Sequence, residues 1–217
     1  AYHLGGAAVG AQDETVANTI TLPVTISGSE DLMVAQPNKA KDIMADISAD
    51  GVTVNDVYSA WAARRNVHPT LVFQHALTRF NFIVRGMDAP AEKVTVEGIS
   101  MTGLAKTGTL TVVGKNLGFV AGEVDANDNT LSLKNADDTP YTEQPVTIAN
   151  AIPAGNGSSL MVQPDLEKIH VVVDMHHTVE GAVTPEIEID LDPYEFDVDA
   201  SQVLKEGVAA GLTKFEK

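Results

Sequence analysis

Thr70-Leu71-Val72-Phe73-Gln74-His75-Ala76-Leu77-Thr78-Arg79-Phe80-Asn81-Phe82-Ile83-Val84-Arg85 decides the fold class of this 217-residue chain. Successive side chains of an extended strand point to opposite faces, so Leu71, Phe73, His75 and Leu77 share one face and Val72, Gln74, Ala76 and Thr78 the other. The large apolar residues then change parity, to Phe80, Phe82 and Val84. A slip of one residue moves every side chain to the opposite face, so a β-bulge or a crossing between two sheets is expected near Thr78 and Arg79. A long strand with such a switch belongs in a β-sandwich, and Leu71, Phe73, His75, Leu77, Phe80, Phe82 and Val84 are its expected core contribution.

Outward from this stretch the chain reads as short strands bounded by turn formers. Ile20, Leu22, Val24 and Ile26 alternate with Thr21, Pro23 and Thr25; proline cannot donate to a ladder, so this strand is expected at a sheet edge. Asp31-Leu32-Met33-Val34-Ala35 is a second short strand, ended by Pro37. Residues 93–101 repeat the phase switch: Val94 and Val96 share one parity, Ile99 and Met101 the other, and Gly98 between them fits a bulge. Further strands are predicted over residues 107–113, 130–133, 145–152, 159–162, 168–175 and 185–191. In the last, Ile187, Ile189 and Leu191 alternate with Glu186, Glu188, Asp190 and Asp192, and Phe196 and Val198 alternate with Asp197 and Asp199 in the same way.

Apolar spacing predicts two short helices, over residues 39–47 and 56–63. Around residues 135–140 the composition turns to Asp, Thr and Pro, the pattern of a linker, which divides the chain into domains 1–139 and 140–217. The expected class is all-β: two sandwich domains with a few short helices.

Thirty acidic against fourteen basic residues leave a net charge of −16, which repels nucleic acid phosphates and anionic membrane surfaces and sets aside a nucleic-acid role. An apolar content of 44% is ample for a core. The absence of cysteine excludes disulfides, thiolate catalysis and cysteine-based zinc sites. No run of eighteen apolar residues is present, so no membrane span is expected. The first ten residues lack the basic start and apolar centre of a signal peptide, so Ala1 reads as a processed end.

Candidate sites are few. His75 lies among Leu71, Phe73 and Leu77 and reads as a packed, hydrogen-bonded core residue. His170, Asp174 and His176 share a strand parity that would suit a metal face, although His176-His177-Thr178 reads as an exposed strand end. Asp125, Asn127, Asp128 and Asn129 present the hard oxygen ligands of calcium in an Asp-x-Asn-Asp-Asn segment like that of cadherin linkers, but one segment supplies too few ligands, and a turn is expected. Residues 155–159 lack the glycine that would complete a Gly-x-Ser-x-Gly elbow, and neither a phosphate-binding loop nor a His-Glu-x-x-His zinc motif occurs. Trp61 and Tyr58 are expected to pack in preference to stacking on a sugar. No enzymatic activity, cofactor or resident metal is expected.

Phe73-Gln74-His75-Ala76-Leu77-Thr78-Arg79 resembles the Phe-x-His-x-Leu strand, followed by Arg, of the fimbrillins, the pilus subunits of type V fimbriae. Asp31-Leu32-Met33-Val34-Ala35 is similar to the segment preceding that strand in the family, and Ser159-Leu160-Met161-Val162-Gln163-Pro164 to the strand that opens its second domain, with Gln and Pro in inverted order. The resemblance spans residues 31–173. It implies two sandwich domains of transthyretin-like, Greek-key topology, export to the cell surface and polymerisation by donor-strand exchange with other subunits. In that family a protease removes an amino-terminal strand and a neighbour's strand fills the groove; Ile20, Leu22, Val24 and Ile26 are then expected to line or flank it. Relatives continue past the equivalent of Lys217 with a Trp- and Tyr-containing strand pair, so the second domain is expected to be either a fragment or completed in trans. The expected function is that of a structural fimbrial subunit that supports adhesion. The alternative is a non-polymerising surface module that recognises a glycan or a host protein.

Overall fold

The structure is a computed structural model that describes residues 1–36, 70–88, 93–114, 116–179 and 187–199. The two helices expected over 39–47 and 56–63, with Tyr58 and Trp61, lie outside the described residues, as does everything after residue 199. The described chain is all-β. In chain order the strands are β1 (Tyr2–His3), β2 (Ala8–Val9), β3 (Ile20–Thr25), β4 (Met33–Val34), β5 (Gln74–His75), β6 (Thr78–Phe80), β7 (Ile83–Val84), β8 (Val94–Thr102) and β9 (Thr107–Val113). They continue with β10 (Gly118–Ala121), β11 (Leu131–Ser132), β12 (Gln144–Pro145), β13 (Ile152–Pro153), β14 (Leu160–Val162), β15 (Lys168–Val179), β16 (Ile187–Asp190) and β17 (Tyr194–Asp199).

Two antiparallel sheets form the body of the sandwich. One has the order β10-β9-β3-β2. The other places β8 and β15 at its centre, with β11 and β12 along the free side of β8 and β16 and β17 along the free side of β15. Leu22, Val24, Leu110, Val112 and Phe119 of the first sheet join Val96, Ile99, Met101, Leu131, Ile169 and Val171 of the second in a single buried core. Burial of side chains of this kind stabilises a fold by about 1.5–3 kcal/mol each, so this shared core is the main reason the layers stay together. Three smaller ladders, β1-β4-β5, β6-β14 and β7-β13, complete the described strands.

The phase switch at the opening stretch is a crossing. β5 pairs with β4, whereas β6, two residues further on, pairs with β14. Leu77 and Phe80 are both buried although they have opposite parity, and Phe82 and Val84 pack against the core half-buried. Leu71 and Phe73 depart from expectation: each is 41% exposed, because β5 begins only at Gln74 and both precede the ladder that holds the chain over the core. His75 is half-buried, and its Nδ1 lies 2.7 Å from Asp31 Oδ1.

The second switch is a bulge. Asp174 pairs with Gly98 and Met175 with Val96, which leaves Glu97 as the extra residue of β8 and lets both Val96 and Ile99 point inward.

The division expected at residues 139 and 140 is not visible among the described strands. β8 with β15, β6 with β14 and β7 with β13 all pair across it. The supposed linker is a loop knitted by Asn135, which is 7% exposed. Its Nδ2 donates to Thr139 Oγ1 at 3.0 Å, Pro140 O at 2.7 Å and Thr142 Oγ1 at 2.8 Å. The strand expected over 145–152 is likewise two short ones, β12 and β13, joined by irregular chain.

Candidate functional site: the amino-terminal strap

β3 is not at an edge. Its whole length pairs with β9 on one side, from Ile20 opposite Val113 to Thr25 opposite Thr107. On its other side runs the amino-terminal segment, with Ala8 opposite Thr25, Val9 opposite Val24, and the pair Asp13 and Thr21 joined by two backbone hydrogen bonds of 2.9 and 3.0 Å. Pro23 fits because its carbonyl faces this segment and accepts from Gly10 N–H at 2.8 Å. In a strand the amide nitrogen and carbonyl of one residue point to the same side, so the missing hydrogen of Pro23 is missing there and not from the β9 ladder. Proline therefore marked the right side of the strand, but the edge lies one strand further out.

The same segment continues along β4. Tyr2 is opposite Val34, His3 opposite Met33, and Ala1 and Ala35 exchange backbone hydrogen bonds of 2.8 Å in both directions. Residues 1–13 thus form a strap that runs antiparallel to residues 21–35 across two sheets. The change of sheet occurs at Gly5, whose φ is +56° and where a Cβ would stand 2.5 Å from the backbone nitrogen of Asp31. No other residue type fits that approach.

The strap is held by backbone. Ala7 is the one buried side chain of residues 1–19, with Leu4 partly buried beside it. Beneath the strap, Leu22, Val24 and Ile26 of the β3 segment are at most 5% exposed, and Leu32 and Val34 at most 3%. The turn between those two stretches is pinned by Glu30, itself 7% exposed, whose carboxylate accepts from Ser27 N–H at 2.7 Å, Ser27 Oγ at 2.6 Å and Gly28 N–H at 3.0 Å. Neither the strap nor Glu30 was marked by sequence. Ala8 and Val9 are too short a run for periodicity to register, and a buried glutamate looks like any other in a chain this acidic.

No family model matches the chain, and no curated protein matches it. Among solved structures it is similar to the crystal structure of a fimbrial protein from Bacteroides vulgatus ATCC 8482, with a TM-score of 0.52 and 10% identity over 90% of this chain. The fold is fimbrial-like. This chain spans 62% of the length of that fimbrial protein.

The remaining sequence candidates are placed elsewhere. His170 and His176 share a face of β15 but stand six residues apart, roughly 20 Å along a strand, and each has its own carboxylate. His170 Nδ1 is 2.6 Å from Asp197 Oδ1 and His176 Nδ1 is 3.0 Å from Glu97 Oε1. His176 is 5% exposed, so the solvated strand end expected there is instead a buried histidine paired with the exposed Glu97 of the bulge. Asp125, Asn127, Asp128 and Asn129 form a turn in which Asn127 N–H donates to Asp125 Oδ1 at 2.8 Å and Lys106 Nζ is hydrogen-bonded to Asp128. A lysine ammonium therefore stands beside a carboxylate where calcium was considered. Among the described residues, no group of three or more His, Asp or Glu side chains is placed to hold a metal, and no helix is long and apolar enough to cross a membrane.

Proposed function

We propose that this chain is a structural subunit of a cell-surface fimbria, with no catalytic step, that joins other subunits by strand addition at the edges under its amino-terminal strap. One observation carries the reading: the strap covers two strand edges with backbone hydrogen bonds while committing almost no apolar side chain to the core. Net backbone hydrogen bonds contribute only about 0.5–1.5 kcal/mol each, and ordering a residue costs about 1–2 kcal/mol, so such a strap is held weakly. A strand from a neighbour bringing several large apolar side chains at about 1.5–3 kcal/mol each would displace it and hold far longer. Partners are accordingly other copies of the chain or related subunits, at the outer surface of the cell, and adhesion is a property of the assembled filament. The fimbrial-like fold supports this assignment.

The test is to place a specific protease site within residues 14–19, all of them exposed or half-buried, and to cut it. Detergent-resistant ladders and filaments in electron micrographs are expected after cutting, and monomers before it. Cut protein that remains monomeric, with the strap peptide dissociated and the body folded by circular dichroism, would reject strand addition at this edge.

A further inference from the structure

A cleft of about 580 Å³ opens between the β6-β14 pair, the turn at Gly28 and Ser29, and the loop from Lys134 to Asp138. Its volume falls within the ~300–1,000 Å³ common for small-molecule sites. The lining is polar and small: Ser29, Ser132, Asn135, Ser158 and Ser159 supply hydroxyls and an amide, and Met161 is the one large apolar side chain among its described walls. The far wall is fixed, since Ser158 Oγ is hydrogen-bonded to the carbonyl of Lys134.

Among the described residues, five charged or titratable side chains face this cleft, and four of them form two pairs. His75 is 2.7 Å from Asp31 and Lys134 is 2.8 Å from Asp138. The fifth is Arg79. Its Nε donates to Ser159 Oγ at 2.5 Å, and Ser159 Oγ donates onward to Asn81 Oδ1 at 2.6 Å, which fixes the plane of the guanidinium. Its two terminal nitrogens have no partner among the described residues. In a chain of net charge −16, Arg79 is thus the one titratable side chain of this cleft, among the described residues, without an oppositely charged partner, and its guanidinium is oriented.

We infer that the cleft binds an acidic monosaccharide, free or at the end of a glycan, with its carboxylate on the terminal nitrogens of Arg79 and its hydroxyls on the serine lining. A guanidinium fork matches a carboxylate in two parallel hydrogen bonds, which a planar, pre-oriented arginine makes at little entropic cost. A phosphate carries up to two charges and meets one free cation here, with Asp31 and Asp138 close by to repel the second. An aromatic or lipid ligand finds no apolar wall. Hydroxyl-rich ligands suit a wall of serine hydroxyls, each of which can act as donor or acceptor. This inference does not rest on strand addition, and it holds for a subunit alone or in a filament.

The test is a nitrogen-15 NMR titration of the full chain with sodium glucuronate and with N-acetylneuraminate, against glucose and inorganic phosphate. Saturable shifts confined to residues around Arg79, Ser132 and Ser159 are expected with one or both acids, and the pair distinguishes a uronic from a sialic source. Arg79→Gln should weaken that binding at least tenfold, and Arg79→Lys should restore it only in part because the fork is lost. Should Arg79→Gln unfold the protein, Ser132→Glu keeps the arginine and supplies it with an internal carboxylate from an exposed strand position, with the same loss expected. No saturable response to either acid, an equal response to glucose or phosphate, or unchanged affinity in the folded variants would overturn the assignment.

Discussion

Gly10 gives its backbone hydrogen to the carbonyl of Pro23 at 2.8 Å, on the side of β3 where Pro23 has none to return. The strap is therefore joined to β3 at this point by a single bond. Gly10→Pro removes it and sets two imino acids face to face. The expected outcome is a loosened strap with an intact body: exchange of the Thr21 amide, which donates to Asp13, should quicken up to about tenfold, the effect of losing about 0.5–1.5 kcal/mol. Hydrogen exchange followed by NMR reads this directly, with the amides of β8 and β15 as unchanged references.

Leu77 and Phe73 have the same parity and opposite fates. Leu77 is 1% exposed and Phe73 is 41% exposed. Leu77→Ala is expected to destabilise by about 2–5 kcal/mol, with a matching fall in the urea midpoint. Phe73→Ala should cost well below that range. Equal costs for the two would mean that the core extends upstream of β5.

The loop after β11 should loosen in acid. Hydrogen bonds from Thr139 hold the Asp137 carboxyl below its ordinary value of 3.8, and the bond from Lys134, then that from Ser29, does the same for Asp138. A carboxyl depressed in the folded state binds fewer protons there than in the unfolded chain. Its contribution is therefore complete above the ordinary value and is lost as pH falls through the depressed one. Both groups are solvent-facing, so the expected effect is local: the Thr139 amide resonance should move in acid below pH 3.8, and Asp137→Asn should remove that movement.

Calcium is expected to leave the melting temperature unchanged, because Lys106 already faces the Asp128 carboxylate. Lys106→Met should cost under about 1 kcal/mol, as exposed ion pairs do. A calcium-dependent rise in melting temperature that disappears when Asp125 and Asp128 become Asn would show that the turn chelates after all.

Alternation was legible wherever a strand buries one face. Leu22, Val24 and Ile26 point inward as their spacing predicts, and the glycine at 98 marked a real bulge because a parity change in apolar residues has few other causes. What could not be read was anything held by backbone or by one well-placed polar group. The strap leaves no apolar signature. Asn135 sits in a stretch whose composition is that of a linker, and only its amide, reaching three acceptors at once, turns that stretch into part of the core's border. The cleft at Arg79 was also invisible, since its walls come from positions as distant as 28 and 159 and no short motif joins them.

The covalent link from the strap to β3 runs through residues 14–19. A segment on so short a tether acts as a competitor at roughly millimolar local concentration. A strand arriving from a micromolar solution must therefore bind about a thousandfold more tightly, about 4 kcal/mol, before it prevails. Two or three more buried side chains supply that margin at about 1.5–3 kcal/mol each. Severing the tether abolishes it at once, because the departed strap is diluted with the solvent. On the proposed reading, that six-residue link sets how strong a neighbour's strand must be to take the edge, and cutting the link lowers that threshold.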